Sequence, residues 1–204
     1  MKKQIFVYGA ASLLTLSNVY AADNSFNPQI SLILDGKYSD YSLDSEAYII
    51  PGFQLGGEAG LSTEGFAIGH SELTMSSNID HHFYGEATVA IAEHEGETEV
   101  EMEEAFIQTL GLSNGFTFKF GRFLSAFGYL NVHHQHAWDF ADAPLVYSAF
   151  LGNYLADDGI QINYLAPTDL FMEFTVELLS GNAFPAGGNE TGGIGASMYS
   201  INLG

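Results

Sequence analysis

The chain has 204 residues, of which 25 are acidic and only five are lysine or arginine, so its formal net charge at pH 7 is −20. So few basic side chains exclude a nucleic-acid partner, because binding to phosphates requires lysine and arginine, whereas the carboxylates should attract cations. Cysteine is absent, which excludes disulfide frameworks and thiolate metal sites.

The first 21 residues have the pattern of an export signal. Lys2 and Lys3 precede the apolar run IFVYGAASLLTL, which has the length of a signal-peptide core but is too short for a spanning helix. Val19 and Ala21 then place small residues at the two positions that a signal peptidase reads. We therefore expect residues 1–21 to be a cleaved signal peptide and the mature chain to enter the envelope of a Gram-negative bacterium.

After this segment, apolar and polar residues alternate with a period of two, as in β-strands that have one apolar and one polar face. In LFMEFTVELL, for example, Met172, Phe174 and Val176 oppose Glu173 and Glu177. The alternation predicts eight strands, at residues 29–38, 66–78, 83–93, 98–110, 115–123, 157–166, 170–180 and 194–204.

The connections between these strands alternate in length. Short turns at 79–82, 113–115 and 167–169 alternate with long or polar loops, of which 124–157 is the longest. Outer-membrane barrels show this asymmetry, whereas a soluble Greek-key sandwich, the alternative, gives no reason for it. We therefore predict an all-β protein, a transmembrane antiparallel β-barrel over residues 22–204.

Three details of the predicted strands affect this barrel. In the fourth strand Glu103 shares a parity with Ala105 and Ile107, so either the outer half of the strand rises above the membrane or a bulge resets its register. In the fifth strand we expect Gly121 to mark a bulge that turns Arg122 away from lipid. The final residues SINLG lie within a predicted strand and lack the terminal aromatic residue of finished barrels, so we expect the chain to be the N-terminal part of a larger barrel.

The segment EEAFIQTLGLSNGFTFKFGRFLSAFGYLN, residues 103–131, resembles the acidic–aromatic strand, turn and following strand of porin-like outer-membrane barrels. PGFQLGGEAGL, FAIGHSEL and HAWDFADAPLVYSAFLG with DDGIQINYLAPTDL resemble a narrower Gram-negative group, sometimes labelled zinc-regulated or TonB-dependent outer-membrane receptors. The resemblance covers most of residues 27–188 and implies an outer-membrane barrel with lipid as a partner. Two departures matter: the chain has almost none of the lysine and arginine of a phosphate-selective porin, and its first predicted strand starts near Gln29 without a preceding plug domain.

In such a barrel the polar faces of the strands line the lumen. The predicted lining residues are His70, Glu72, Glu86, His94, Glu173 and Glu177. Any wet lumen is polar, but here carboxylates dominate, and rings of carboxylates favour cations in narrow pores. The principal prediction is therefore a porin-like protein that gives small cationic solutes passive passage; in the simpler interpretation, the acidity only keeps an exported surface soluble.

The stretch NVHHQHAWDFADAPLV, residues 131–146, holds three of the seven histidines within the longest predicted loop. Its candidate metal ligands are His133, His134, His136 and Asp139. Imidazole with carboxylate suits zinc, but one segment seldom completes a tetrahedral site, so His94 or Glu95 would have to contribute. The alternative function is therefore an outer-membrane receptor that captures a divalent metal such as zinc; in the simpler interpretation, the histidines and Trp138 only anchor the loop.

Two further expectations concern activity and assembly. The chain contains no G-x-S-x-G, P-loop or H-E-x-x-H motif, so we expect that it is not an enzyme. A structural barrel without transport is a third alternative. Porins often form homotrimers, and no residue pattern in this chain argues for or against one.

Overall fold

The computed structural model describes residues 27–42, 48–52, 60–61, 64–94, 97–140, 142–182 and 196–203. The predicted signal peptide, residues 1–21, lies outside these ranges. Within them the protein is mostly antiparallel β-sheet with one α-helix, which confirms the predicted all-β class. The strands are β1 (Gln29–Ile33), β2 (Gly36–Ser39), β3 (Gly65–Ile68), β4 (Ser71–Asn78), β5 (Phe83–His94), β6 (Glu97–Thr109), β7 (Phe116–Leu124), β8 (Ala156–Leu165), β9 (Met172–Leu179) and β10 (Ala196–Leu203).

Eight of these strands form one antiparallel sheet in the order β1-β4-β5-β6-β7-β8-β9-β10, and β2 pairs with β3 in a separate ribbon. From β4 onward, each strand of the large sheet pairs with the next strand in the chain, which is a meander. The sheet is not closed into a barrel, since β1 and β10 are its two edges.

The predictions of single strands at 29–38 and 66–78 are wrong. Each range is divided into two strands, and the two breaks are hydrogen-bonded to each other. At the break, the backbone N–H of Gly69 donates to the carbonyl of Asp35 at 3.0 Å. A Cβ on Gly69 would lie 2.0 Å from the carboxylate of Asp35, so a larger residue here would force that side chain to move. The break separates β3 from β4 and leaves His70 buried between them.

Alternation gives the large sheet two chemically different faces. The outer face is apolar and exposed; its exposed side chains include Ile30, Leu32, Met75, Phe116, Phe118, Phe120, Ile160, Phe174, Val176 and Leu178. The opposite, inner face is polar and sheltered. Its buried polar side chains include Glu72, Thr88, Gln161, Thr175 and Glu177.

The connection between β7 and β8, residues 125–155, packs against the inner face and is called the inner loop below. It contains a 3-10 turn at Gln135–Ala137 and the helix α1, Leu145–Leu151. A small apolar core joins loop and sheet: Phe106, Phe123, Leu151, Leu155 and Leu179, with Tyr84 and Tyr147 packed against it. In the part of the chain that the structure describes, no helix is long and apolar enough to cross a membrane.

A β-bulge in β6 confirms one of the two explanations offered for that strand. Thr88 of β5 pairs with Glu104, but the next residue, Val89, pairs with Met102, so Glu103 is the extra residue. Because an extra residue interrupts the alternation of side chains, both Glu103 and Glu104 are buried at the inner face.

The bulge predicted at Gly121 is wrong. Pairing runs through Gly121 without a register shift on both sides of β7. A Cβ at this position would lie 2.2 Å from the carbonyl oxygen of Ala105, and φ is +123°, so the glycine is required by a close approach. Arg122 therefore keeps the parity of Phe120 and forms an ion pair with Asp158 at 3.3 Å.

Candidate functional site

The inner loop brings two of its histidines to a group of residues on the inner face of the sheet. The members of this His–Glu cluster are His70, Glu72, Glu103, Glu104, His134 and His136. The sheet supplies the first four from the β3–β4 break, β4 and the β6 bulge, and the loop supplies the two histidines.

The sheet part of the cluster is almost fully buried. His70 Nε2 lies 2.9 Å from Glu103 Oε1 and 3.6 Å from Glu72 Oε1, and the three side chains are 5%, 2% and 1% exposed. The break before β4 holds the imidazole between the carboxylates of two different strands. Buried carboxylates are costly to ionise unless they are paired, so the histidines offset the cost of burying Glu72 and Glu103.

His134 connects the loop to this buried group through both ring nitrogens. Its Nδ1 lies 3.1 Å from Glu103 Oε2 and its Nε2 lies 2.9 Å from Glu104 Oε2. Burial lowers the pKa of His134, but the hydrogen bonds to Glu103 and Glu104 outweigh it and raise the pKa to about 10. Both nitrogens then donate, and the imidazolium balances part of the carboxylate charge.

His136 adds a third imidazole from the loop. Its Nδ1 lies 2.9 Å from Glu72 Oε1, and its ring stacks near that of His134 with centroids 5.9 Å apart and planes 11° apart. The two histidines are two positions apart, and the sequence interpretation expected them to project to the same side. The side chain of His136 is 29% exposed, so the cluster is accessible from the loop side.

One atom of the cluster lacks a hydrogen bond. Glu72 Oε2 is buried and has no hydrogen-bond partner among the described residues. His134 Nδ1 lies 3.4 Å from this oxygen, which brings opposite charges close together, but the hydrogen bond of Nδ1 goes to Glu103. A buried carboxylate oxygen without a donor is unfavourable, typically by about 1–3 kcal/mol, and native structures seldom leave one without a reason.

The two other predicted metal ligands of the loop do not join the cluster. The carbonyl of His133 accepts the indole N–H of Trp138 at 2.8 Å, and the ring of His133 lies edge-on to Tyr129. Asp139 is exposed. The side chain of His94 at the end of β5, and Glu95, lie outside the described residues. The indole of Trp138 thus donates a hydrogen bond within the loop.

The predicted lumen residue Glu177 holds the beginning of the inner loop. Its carboxylate is 1% exposed and accepts hydrogen bonds from the backbone N–H of Ala126 at 2.8 Å, from Gln161 Nε2 at 2.7 Å and from the hydroxyl of Ser125. Its three donors and its burial leave it little contact with solvent. Glu177 therefore lies on the predicted face of the sheet, but its carboxylate holds the beginning of the inner loop.

Glu86 and Glu173, by contrast, face an open space. They line a cavity of about 400 Å³ between the sheet and the inner loop. Other polar residues around it are Glu104, Lys119, His134 and Gln161. The ammonium group of Lys119 lies 4.3 Å from the ring centroid of Phe106. Among the described residues, the lining therefore combines three carboxylates with two positively charged side chains, Lys119 and the imidazolium of His134.

Sequence reasoning missed Glu104 and Asn131 as site residues. Asn131 is fully buried and joins the two ends of the inner loop, since its side chain bonds the backbone of both Ser125 and Leu155. The signal for the bulged pair was the conflict of parity at Glu103. For Asn131, no pattern in the sequence distinguishes a buried asparagine that bonds both ends of a loop from an ordinary loop asparagine.

The chain is similar to an "Uncharacterized protein" of Aquifex aeolicus (strain VF5), with 39% identity over 168 residues. The match covers 78% of this chain and 35% of the relative, so the chain spans about a third of the length of that relative. No protein-family model matches the chain. No solved structure matches it either. The comparisons therefore assign no activity, and the function has to be inferred from the residues themselves.

Proposed function

We propose that this chain forms part of an outer-membrane β-barrel that gives small cations passive passage through an acidic lumen. The observation that carries the proposal is the division of the sheet into an exposed apolar face and a sheltered face rich in carboxylates. This is the arrangement of a transmembrane barrel, whose strands present apolar residues to lipid and polar residues to water inside.

The outer face supports lipid as the partner. Phe116, Phe118 and Phe120 of β7 are each about two-fifths exposed, and Ile160 and Leu178 on the next strands are about half exposed. Contiguous apolar surface of this kind is unfavourable in water and marks an interaction surface. Lipid covers such a face over its whole extent, and the meander topology allows further strands to close the barrel.

The inner face supports cation passage. Glu86 and Glu173 line the cavity beside the inner loop, which narrows the space in front of the sheet. Carboxylates in a narrow, partly dehydrated passage attract cations and repel anions more strongly than they do in bulk water. Among the described residues of the lining, Lys119 is the only lysine or arginine, and it opposes this effect locally.

The test is the reversal potential of the full-length protein in a planar bilayer under a KCl gradient. We expect cation selectivity that falls in the double variant Glu86→Gln, Glu173→Gln and rises in Lys119→Gln. Asp169→Asn, which removes a carboxylate from an exposed turn, is the matched control and should leave selectivity unchanged. Anion selectivity in the wild type, absence of conductance, or equal selectivity in all variants would refute the proposal.

Capture of a divalent metal is a second candidate function, and the His–Glu cluster is the observation that favours it. The cluster brings imidazole and carboxylate groups from distant parts of the chain within contact distance. Capture requires a saturable site for the ion, whereas passive passage does not. The two candidates are therefore separable by equilibrium binding.

A further inference from the structure

We infer that the His–Glu cluster binds one divalent transition-metal ion between the sheet and the inner loop, with His70, Glu72, Glu103 and His134 as its ligands. This inference deepens the second candidate function, on which its biological role rests. It differs from the site predicted from the sequence, because three of the four ligands come from the sheet and only one from the loop.

The spacing of the donor atoms is the first argument. Zinc bonds to nitrogen and oxygen are about 2.1 Å long, so two ligand atoms of a tetrahedral site are roughly 3.4 Å apart. His70 Nε2 lies 2.9 Å from Glu103 Oε1 and 3.6 Å from Glu72 Oε1. His134 Nδ1 lies 3.1 Å from Glu103 Oε2 and 3.4 Å from Glu72 Oε2. Ligand atoms of His70, Glu72 and Glu103, one from each, lie within 4.8 Å of one another, and His134 approaches the second oxygen of both carboxylates. Rotation of these side chains would be needed to bring all four to one ion.

The bare oxygen of Glu72 is the second, independent argument. Glu72 Oε2 is completely buried, has no hydrogen-bond donor and is directed into the cluster beside His134. A bound cation would satisfy this oxygen directly. Since buried polar atoms in native proteins nearly always have a partner, the unsatisfied oxygen indicates a partner other than a described side chain.

The charge balance of the site points in the same direction. Three carboxylates, those of Glu72, Glu103 and Glu104, converge on the cluster. The strong bases of the described residues are engaged elsewhere: Lys37 with Asp35, Arg122 with Asp158, and Lys119 over the ring of Phe106. Only histidines remain to balance the carboxylates, and a divalent ion would reduce the excess of negative charge.

The donor set selects the class of metal. Calcium and magnesium prefer oxygen ligands alone, whereas two imidazoles with two carboxylates suit zinc and similar first-row divalent ions. Glu104 fixes the orientation of His134, because it accepts from Nε2 and leaves Nδ1 facing Glu72 and Glu103. A carboxylate that orients a ligating histidine in this way also raises its affinity for the metal. Metal binding at Nδ1 would release to solvent the proton that this nitrogen donates to Glu103 in the metal-free protein.

The test is calorimetric titration of zinc into the metal-free, full-length protein. We expect one saturable site per chain in the wild type and a loss of at least about tenfold in affinity in Glu72→Gln and in His134→Gln. His133→Gln and Asp139→Asn are the matched controls, because both residues lie in the same loop outside the cluster, and they should bind as the wild type does.

Cobalt(II) provides a second measurement that does not depend on any variant folding. Bound in the wild type by two imidazoles and two carboxylates, it should give the intense visible bands of a tetrahedral site. Absence of saturable zinc binding, the weak spectrum of a hydrated cobalt ion, or loss of binding in His133→Gln with retention in Glu72→Gln would each overturn the inference.

The same variants separate this inference from the proposal of passive passage. The double variant Glu86→Gln, Glu173→Gln should keep the zinc site while its cation selectivity falls. If zinc binding is absent but bilayer selectivity follows the carboxylates of the cavity, the metal site is refuted and passage stands. If zinc binds and the bilayer shows no conductance, passage is refuted and the metal site stands.

Discussion

Replacement of Asn131 by alanine should release the inner loop from the sheet. The side chain of Asn131 is fully buried, and its Nδ2 donates to the carbonyls of Ser125 at 2.7 Å and Leu155 at 2.9 Å. Its Oδ1 accepts the backbone N–H of Leu155 at 2.7 Å. Three hydrogen bonds of one side chain therefore join the two ends of the loop.

The expected cost follows from the groups that the substitution leaves without a partner. The carbonyl of Leu155 still accepts the N–H of Ser125 at 2.9 Å, but the N–H of Leu155 and the carbonyl of Ser125 lose their bonds to the side chain. Each buried backbone group left unsatisfied costs about 1–3 kcal/mol, so the closed loop should lose about 2–6 kcal/mol. Even the lower limit corresponds to about thirtyfold more opening.

Hydrogen exchange of the full-length protein, read by mass spectrometry, measures this opening directly. We expect faster exchange in residues 125–155 of Asn131→Ala, while the amides of β8 and β9 keep their protection. Asn78→Ala removes an exposed asparagine at the end of β4 and is the matched control, with an expected effect within about 0.5 kcal/mol. Unchanged exchange in the loop, or an equal rise across the whole sheet, would refute the reasoning.

Two further predictions concern the turn before β5 and the close approach of β6 to Gly121 in β7. The backbone N–H groups of His82 and Phe83 donate to Asp80 and hold its pKa below 3.8. A pKa that is lower in the folded state stabilises the fold above the unfolded pKa, and this stabilisation is lost as the pH falls through the folded value. The destabilisation caused by Asp80→Ala in urea unfolding should therefore be largest at neutral pH and shrink below about pH 4. A pH-independent difference would contradict this. Gly121→Ala should destabilise the protein by about 2–4 kcal/mol, because the new Cβ meets the carbonyl of Ala105 at a φ unsuited to alanine, whereas Gly36→Ala, with nothing within 4 Å, should have little effect in the same assay.

Period-two alternation predicted most of the large sheet well. The strands β7, β8 and β9 begin and end within two residues of the predicted bounds, because one face of each is consistently apolar and short polar turns precede β7 and join β8 to β9. The break between β3 and β4 was missed, although FAIGHSEL carries a sign of it: Phe66 and Ile68 share a parity with the polar His70 and Glu72, so the apolar face changes at Gly69. Parity shows which side chains share a face of a strand, but it does not show where one pairing partner is exchanged for another.

The helix α1 was also missed, although its sequence contains terminal signals. Pro144 stands at the beginning of the helix and Gly152, with φ +67°, terminates it in the left-handed conformation. The helix has only seven residues, too few for a periodic pattern to be distinguished from an apolar loop. Its packing on the inner face, through Leu151, depends on tertiary contacts.

The candidate site was predictable in its parts but not as a unit. His70 and Glu72 were assigned to the lumen and His134 and His136 to a metal loop, yet their contact joins residues 64 positions apart in the sequence. It requires the inner loop to turn back onto the sheet, which no local pattern specifies. Glu104 was missed because a bulge places adjacent residues on the same face, which simple alternation does not predict.

The burial of the carboxylates bears on why the chain is so acidic. Charge that serves only solubility belongs on exposed surface, but Glu72, Glu103, Glu104 and Glu177 are 1%, 3%, 6% and 1% exposed. These four hold the inner loop, three through histidines and Glu177 through the beginning of the loop. Because burying a carboxylate is unfavourable without specific partners, solubility cannot account for this set. Glu104 also lines the cavity, whereas Glu86 and Glu173 line it without a hydrogen bond to the loop in the part of the chain that the structure describes. Substitutions of Glu86 and Glu173 should therefore change selectivity for cations without detaching the loop.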